Sequence, residues 1–312
     1  MKIVLISLVM FLMSTVSYAR EQISIVGSST VFPFSTVVAE KVGKKGIKTP
    51  VIESTGTGGG MKLFCKGIGV NTPDMTNASR AIKPKEKEMC FENGVTDISQ
   101  VIVGLDGIAI IHSYKNKQVN FTVEQLWIAL SEKGPKPEKW SDIDPSLPNI
   151  KISVLVPPPT SGTRDAFNEL VMAKGCAKEV KEANKKDCNL LREDGAAIEA
   201  GENDTLIINK IVGDPNNFGI LGFSYYEANK DKVRAVTING KSISKQSIQD
   251  GSYPISRPLY FYVKNQHRDV IPGIDEYIKE FTSKRAISNT GYLTDLGLVP
   301  LANPQEAITQ VK

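Results

Sequence analysis

The sequence ISIVGSSTVFPF, at residues 23–34, passes from a β-branched strand pattern through a turn of glycine and hydroxyl residues into a helical pattern. Two later segments repeat this order: VIESTGTGGGMKLF at residues 51–64 and ISVLVPPPTSGTRDAF at residues 152–167. A turn that opens a helix presents free backbone N–H groups and the positive end of the helix dipole to one point. The chain is therefore predicted to hold an oxyanion with neutral donors, using three such turns.

We call residues 27–30 the first turn, residues 54–60 the second turn and residues 160–164 the third turn. Three consecutive glycines of the second turn, residues 58–60, lead into a predicted helix at 60–66. Because glycine there costs backbone entropy, we expect backbone N–H groups to approach a ligand closely. The segment lacks the GK[ST] ending of a nucleotide-binding phosphate loop. A plain flexible turn remains the alternative.

The third turn combines two hydroxyls, a glycine and Arg164, whose planar guanidinium matches an oxyanion. A fourth group of donors, NASR at residues 77–80, follows a short strand and contributes Arg80. Arginines on loops commonly form surface ion pairs. Arg80 and Arg164 are predicted to bind the anion because each adjoins a hydroxyl turn.

Strand and helix patterns alternate through the first hundred residues, which predicts an α/β fold with a mostly parallel sheet. The apolar stretch at 98–112 contains two glycines and is interpreted as two strands joined by a bend. A late strand is expected at 258–263, and helices are expected at 272–283 and in the tail.

Two apolar runs, at 104–111 and 258–263, are the expected crossings between two lobes. Residues 20–106 and 258–312 are predicted to form lobe 1, and residues 107–257 are predicted to form lobe 2. The ligand is expected in the cleft between them, where carboxyl ends of strands meet helix N-termini.

Residues 1–19 have the pattern of a cleaved secretory signal: Lys2, an apolar run, and small residues up to Ala19. The run is too short to span a membrane, so the exported chain is expected to have no stable membrane insertion. Cleavage after Ala19 lowers the net charge from +4 to +3. This mild charge favours an anion but does not indicate a nucleic-acid partner.

The four cysteines are even in number and follow an export signal, which favours disulfides. Three pairings are possible, and Cys65–Cys90 with Cys176–Cys188 is preferred because it closes local loops. A zinc site is the alternative, but the chain has no CxxC spacing and only two histidines. Neither a metal nor a cofactor is expected.

Catalysis is not expected either. The sequence has no G-x-S-x-G elbow and no visible paired-carboxylate or metal-ligand cluster. His112 lies in an apolar run and is predicted to be a core or edge residue, while His267 lies in a polar turn. Hydrogen-bond donors are abundant and candidate catalytic bases are missing. The pattern therefore favours binding, and no catalytic residues are predicted.

Beyond the four donor motifs, two later segments, GILGFSYY at residues 219–226 and YPISRPL at residues 253–259, complete a resemblance to the PstS family of periplasmic phosphate-binding proteins of phosphate ABC importers. The motifs occur in order from about residue 23 to residue 263. The resemblance implies a two-lobed type 2 (Venus flytrap) periplasmic binding protein. Each lobe would have a central, mainly parallel sheet flanked by helices, and the protein would deliver phosphate to a membrane permease and its ATPase.

The resemblance and the turns together give these candidate phosphate ligands: Ser29, Thr30, Val31, Thr57, Ser79, Arg80, Ser161, Gly162, Thr163 and Arg164. The best-described branch has aspartate where this chain has Arg80, and arginine where it has Pro157. The chain therefore resembles the branch with Ser-Arg and Ser-Gly-Thr-Arg motifs. Asp194, ahead of a helical run, is the candidate acceptor of the phosphate proton, and an ordinary N-cap is its alternative role.

The expected function is high-affinity binding of inorganic phosphate in the periplasm and its delivery to an ABC import permease. The alternatives are a receptor for sulfate, molybdate or arsenate, a secreted phosphatase-like hydrolase, and an adhesion or scaffold protein without anion affinity.

Overall fold

The computed structural model describes residues 20–201, 204–302 and 308–311, so the predicted signal at 1–19 lies outside the described residues. Its strands are β1 (Ser24–Gly27), β2 (Val51–Ser54), β3 (Met75–Ala78), β4 (Ile98–Ser113), β5 (Asn120–Phe121), β6 (Val154–Val156), β7 (Ala197–Glu199), β8 (Phe218–Gly222), β9 (Val233–Ala235), β10 (Thr237–Ile238), β11 (Ser256–Lys264) and β12 (Ile308–Gln310). Its α-helices are α1 (Phe32–Gly43), α2 (Gly56–Phe64), α3 (Pro84–Glu92), α4 (Val123–Leu130), α5 (Gly162–Phe167), α6 (Ala173–Gly175), α7 (Lys178–Ala183), α8 (Asp204–Gly213), α9 (Phe223–Ala228), α10 (Lys245–Gln249), α11 (Ile274–Phe281), α12 (Lys284–Ile287) and α13 (Tyr292–Asp295).

The main sheet has the strand order β2-β1-β3-β11-β4-β8-β6-β7, with β9 and β12 also paired to β4. Strand β1 is parallel to β2 and β3 at one end of this order. Strand β6 is parallel to β7 and β8 at the other end. Helices pack against both ends, α2 on β1 and α8 on β8, so the predicted α/β fold is confirmed.

The central pair β4 and β11 joins the two ends of the sheet. Strand β4 is one continuous 16-residue strand, so the prediction of two strands joined by a bend was wrong. The antiparallel register between β4 and β11 shifts where Leu259 lies opposite Gly104 and Tyr260 lies opposite Ile102. A β-bulge of this kind bends and twists a ladder without ending it, which is consistent with a strand that continues through the bulge.

The buried apolar side chains form separate clusters on the two sides of this pair. The largest cluster packs around β6, β8 and the second half of β4, and includes Phe121, Trp140 and Phe218. A second cluster packs α1 and α11 against β1 and β11, and a smaller third cluster surrounds Cys65 and Cys90. Each end of the sheet therefore buries its own core.

Helix α2 begins at Gly56, so the three glycines of the second turn lie inside the helix rather than ahead of it. Packing accounts for one of them. A Cβ built on Gly60 would lie 2.5 Å from the Gly27 Cα atom and 2.5 Å from the Thr76 hydroxyl oxygen. Glycine at this position lets α2 contact the end of β1 directly.

Both predicted disulfides, Cys65–Cys90 and Cys176–Cys188, are formed. The tail differs from its prediction, because after α12 and α13 it contributes strand β12, which pairs with β4. The histidines are both buried. His112 lies in the core as predicted, whereas His267 is bound by Asp74 at 2.6 Å in its turn.

We predict that Gly60→Ala destabilises the protein by about 1–3 kcal/mol, because the added methyl group overpacks the contact between α2 and β1. Gly213→Ala is the matched control, since Gly213 also lies in a helix but a Cβ there has nothing within 4 Å. The control is expected to be neutral or to stabilise by up to about 1 kcal/mol. Urea unfolding of both variants tests this, and equal stability of the two would contradict it.

Candidate functional site

The first and third turns contact each other across the two ends of the sheet. The first turn follows β1, and the third turn follows β6 and opens α5. The Thr30 hydroxyl donates to the Gly162 carbonyl oxygen at 3.1 Å. The Ser29 hydroxyl donates to Asp165 Oδ2 at 2.7 Å. Two turns that are more than a hundred residues apart in the sequence therefore form one structure.

These turns line one depression between the two ends of the sheet. It is lined by Ser29, Thr30, Pro33, Phe34, Asp106, Thr160, Ser161, Gly162, Thr163, Asp204, Gly222, Ser224, Tyr225, Leu296 and Gly297. Hydroxyl groups from both turns face it, and the N-termini of α1 and α5 open at its edge. Val31 is the N-cap of α1, and its side chain is fully buried, so only its backbone N–H group is a candidate donor.

Glycine is required at position 162 by the closeness of the two turns. A Cβ built on Gly162 would lie 2.6 Å from Thr30 Cα and 2.8 Å from the Thr30 backbone nitrogen. These atoms are backbone and cannot move away as a flexible side chain would. The Ser161 side chain accepts a hydrogen bond from the Thr163 N–H group at 3.2 Å and so caps α5.

The second turn and the NASR segment form a neighbouring pair. Thr57 Oγ1 accepts a hydrogen bond from the Ser79 backbone N–H group at 3.1 Å, and the two hydroxyl oxygens are also 3.1 Å apart. The Thr55 N–H group donates to the Gly27 carbonyl oxygen, which places this pair beside the first turn. The Asn77 side chain is buried, and neither of its amide atoms has a hydrogen-bond partner within the described ranges.

Arg80 lies beside the second turn, but its charge is already compensated. Its guanidinium makes a two-pronged contact with Glu86, at 2.8 Å and 2.7 Å. The hydrogen bonds that Arg80 donates to the Glu86 carboxylate raise the pKa of Arg80. Burial alone would raise the pKa of Glu86, yet the hydrogen bonds from Arg80 and from the Lys83 backbone lower it overall. The anion-binding role predicted for Arg80 therefore has to compete with an internal carboxylate.

Arg164 is held by neutral acceptors. Its Nε atom donates to Asn168 Oδ1 at 3.2 Å, and its terminal nitrogen donates to the Pro157 carbonyl oxygen at 3.0 Å. Burial lowers the pKa of Arg164, which shows the cost of its charge in this place. Because neither of these two hydrogen-bond acceptors is a carboxylate, Arg164 is the better placed of the two arginines to gain from a bound anion.

Asp194 does not lie with the other candidates, and the prediction that it belongs to this site was wrong. Strands β6 and β7 are parallel, with Val154 opposite Ala197. Asp194 comes before β7, at the amino ends of these two parallel strands. The third turn comes after β6, at their carboxyl ends. The Asp194 carboxylate instead binds Arg192 at 2.6 Å, and this hydrogen bond lowers its pKa.

Four charged residues at the site were missed by sequence reasoning: Asp106, Asp165, Glu169 and Arg257. Arg257 is only 5% exposed, and its two terminal nitrogens donate to Glu169 Oε2 at 2.8 Å and to Thr30 Oγ1 at 2.9 Å. Its Nε atom lies 3.9 Å from Asp106 Oδ2, and burial raises the pKa of Asp106. Two sequence features could have pointed to these residues: Asp165 directly follows Arg164, and Arg257 is the arginine of the YPISRPL segment.

The PBP superfamily domain matches residues 14–285 of the chain. Among characterised relatives, the protein SphX of Synechococcus elongatus is 32% identical over 309 residues, which are 96% of this chain and 83% of that protein. The phosphate-binding protein PstS of Staphylococcus saprophyticus is 33% identical over 260 residues, which are 81% of this chain and 73% of that protein.

Among solved structures, the chain is similar to a possible phosphate-binding protein from Planctomyces limnophilus. The two superpose with a TM-score of 0.72 at 28% sequence identity, covering 90% of this chain and 93% of the other. Across the part of the chain that the structure describes, no helix combines the length and the apolar character needed to cross a membrane.

We predict that Ser29→Ala shifts the protein toward a more open arrangement of the two ends of the sheet. The substitution removes the donor to Asp165, and a hydrogen bond to a charged group contributes about 1.5–3 kcal/mol. Small-angle X-ray scattering without added ligand should give a larger radius of gyration than for the unchanged protein. Ser141→Ala is the control, because Ser141 bonds only the exposed Asn149 side chain. Identical curves for both variants would contradict the prediction.

Proposed function

Because the chain belongs to the PstS family of phosphate-binding proteins, within the PBP superfamily, we propose that it binds inorganic phosphate outside the cytoplasm and delivers it to an ABC import permease and its ATPase. The family and its named relatives are binding proteins. We propose no catalytic step for this chain. The predicted signal supports export to the periplasm.

One observation carries this proposal: two hydroxyl turns from opposite ends of the sheet converge on one depression. Helix N-termini and neutral hydroxyl donors suit a compact oxyanion, because they supply hydrogen bonds and partial positive charge together. The proposed ligands are Ser29, Thr30, Val31, Thr57, Ser79, Arg80, Ser161, Gly162, Thr163 and Arg164.

The proposed mechanism is capture of the anion in an open cleft followed by closure of two lobes. We propose lobe 1 as residues 20–106 with 258–312 and lobe 2 as residues 107–257. The separate buried clusters and the bulge between β4 and β11 support this division. Docking of the closed form on the permease would then release phosphate for transport.

Isothermal titration calorimetry on ligand-stripped protein tests the proposal directly. We expect phosphate to bind in preference to sulfate. Thr57→Val keeps the side-chain shape but removes a hydroxyl, and should weaken phosphate binding by about 1–3 kcal/mol.

Arg164→Ala should weaken phosphate binding more than Arg164→Lys, which keeps the charge but loses the planar fork. The control Lys185→Ala should bind like the unchanged protein. If the protein binds sulfate in preference to phosphate, or binds neither anion, it is not a phosphate receptor.

We also propose that Asp165, rather than Asp194, accepts the proton of hydrogen phosphate. Its carboxylate already accepts a hydrogen bond from Ser29 at the depression. A carboxylate accepts a hydrogen bond from a protonated oxyanion and repels one that has no proton, such as sulfate.

Asp165→Asn should therefore lower the affinity for phosphate relative to sulfate by about tenfold or more. The reason is that the amide can donate to an unprotonated oxygen. Competition titrations with both anions measure this ratio, and Asp269→Asn, at an exposed position, is the control. An unchanged ratio in the Asp165 variant would assign the acceptor elsewhere.

A further inference from the structure

Arg257 occupies an unusual position in the molecule. It lies near the start of β11, opposite Asp106 of β4, where the two central strands pass between the ends of the sheet. Its side chain is almost fully buried, yet it contacts both ends: Thr30 of the first turn and Glu169 of the helical run that the third turn opens. A buried charge is retained at a cost unless partners compensate it.

The contact with Thr30 decides which way that hydroxyl group points. A guanidinium carries only donors, whereas a threonine hydroxyl has one donor hydrogen and acceptor lone pairs. Since Thr30 Oγ1 accepts from Arg257, its own hydrogen must point elsewhere, and it points to the Gly162 carbonyl oxygen. Arg257 therefore keeps Thr30 as a donor toward the third turn.

Resting on the phosphate-binding function proposed above, we infer that Arg257 is a positioning residue of the anion site. It fixes the Thr30 hydroxyl as a donor and places a positive charge directly behind it. When an anion oxygen takes the place of the Gly162 carbonyl as acceptor, the same hydroxyl donates to it without turning. Arg257 thus acts on the anion through Thr30.

The guanidinium fork is needed for this role. One terminal nitrogen holds Glu169 at 2.8 Å while the other holds Thr30 at 2.9 Å. Lysine offers a single ammonium group and cannot reproduce both directed contacts in a fixed plane. Glu169 is partly exposed, with 38% of its side chain accessible. It orients the fork and also offsets part of the charge that an anion would feel.

A double-mutant cycle with phosphate titrations tests the inference. We expect Arg257→Gln to weaken phosphate binding at least tenfold and Thr30→Val to do the same. If Arg257 acts through Thr30, the double variant should bind within about threefold of Thr30→Val alone, because coupled residues are not additive. Arg257→Lys should restore little. Arg268→Gln, which breaks an exposed ion pair with Asp275, is the matched control and should leave affinity unchanged.

Glu169→Gln provides an independent arm that leaves Arg257 in place. Removing the carboxylate charge while keeping an acceptor should tighten phosphate binding about two- to fivefold, because less of the arginine charge is offset. If Arg257 and Glu169 only clamp the fold, this variant would bind phosphate more weakly or equally, and the inference would be overturned. Additive effects in the cycle, or an unchanged affinity of Arg257→Gln, would overturn it as well.

Phosphate titration of the wild-type protein distinguishes a failure of the proposed function from a failure of the inference about Arg257. If the protein binds no phosphate, the proposed function fails and the inference fails with it. If it binds phosphate and the Arg257 variants bind equally well, only the inference fails.

Discussion

The antiparallel ladder between β4 and β11 is the constraint on which the rest of the structure depends. The two strands pair from Lys264 opposite Ile98 to Ser256 opposite Gly107, in the middle of the main sheet. The parallel strands on either side take their places from this ladder, and their carboxyl ends carry the hydroxyl turns. The register of this ladder shifts by one residue near Gly104, where a bulge increases the local twist. The strands β4 and β11 therefore determine where the turns meet, although they supply almost none of the hydroxyl and N–H groups at the depression.

The charges of the site are arranged unequally around those donors. Arg80 is paired with Glu86, and Arg257 is paired with Glu169, while Arg164 donates hydrogen bonds to the neutral oxygens of Asn168 and Pro157. Hydroxyl groups and helix N-termini carry no full charge, so they can be buried without a counterion. An anion bound at the proposed site would thus be surrounded mainly by dipoles, with the arginines behind them.

Local patterns predicted the strand, turn and helix order and the residues of the first and third turns, because each of these depends on neighbours in the sequence. Both disulfides were predicted as well, because they close short loops, of 25 and 12 residues. The misses have non-local causes. Asp194 was misplaced because its distance from the turns depends on the direction of β7 in the sheet. The glycines of the second turn were placed ahead of α2 because contact with Gly27 cannot be seen in the sequence. Arg257 gained its partners from two other segments, 88 and 227 residues away.

The two disulfides have a practical consequence. The sequence has four cysteines, and all four are joined in Cys65–Cys90 and Cys176–Cys188. The oxidised protein therefore presents no native thiol for reagents to modify. A single cysteine introduced on either side of the depression would be the only nucleophilic sulfur, so a spectroscopic probe could be attached at one chosen position. The same background requires that the protein be handled without reducing agents, since these would open the loops and expose four competing sites.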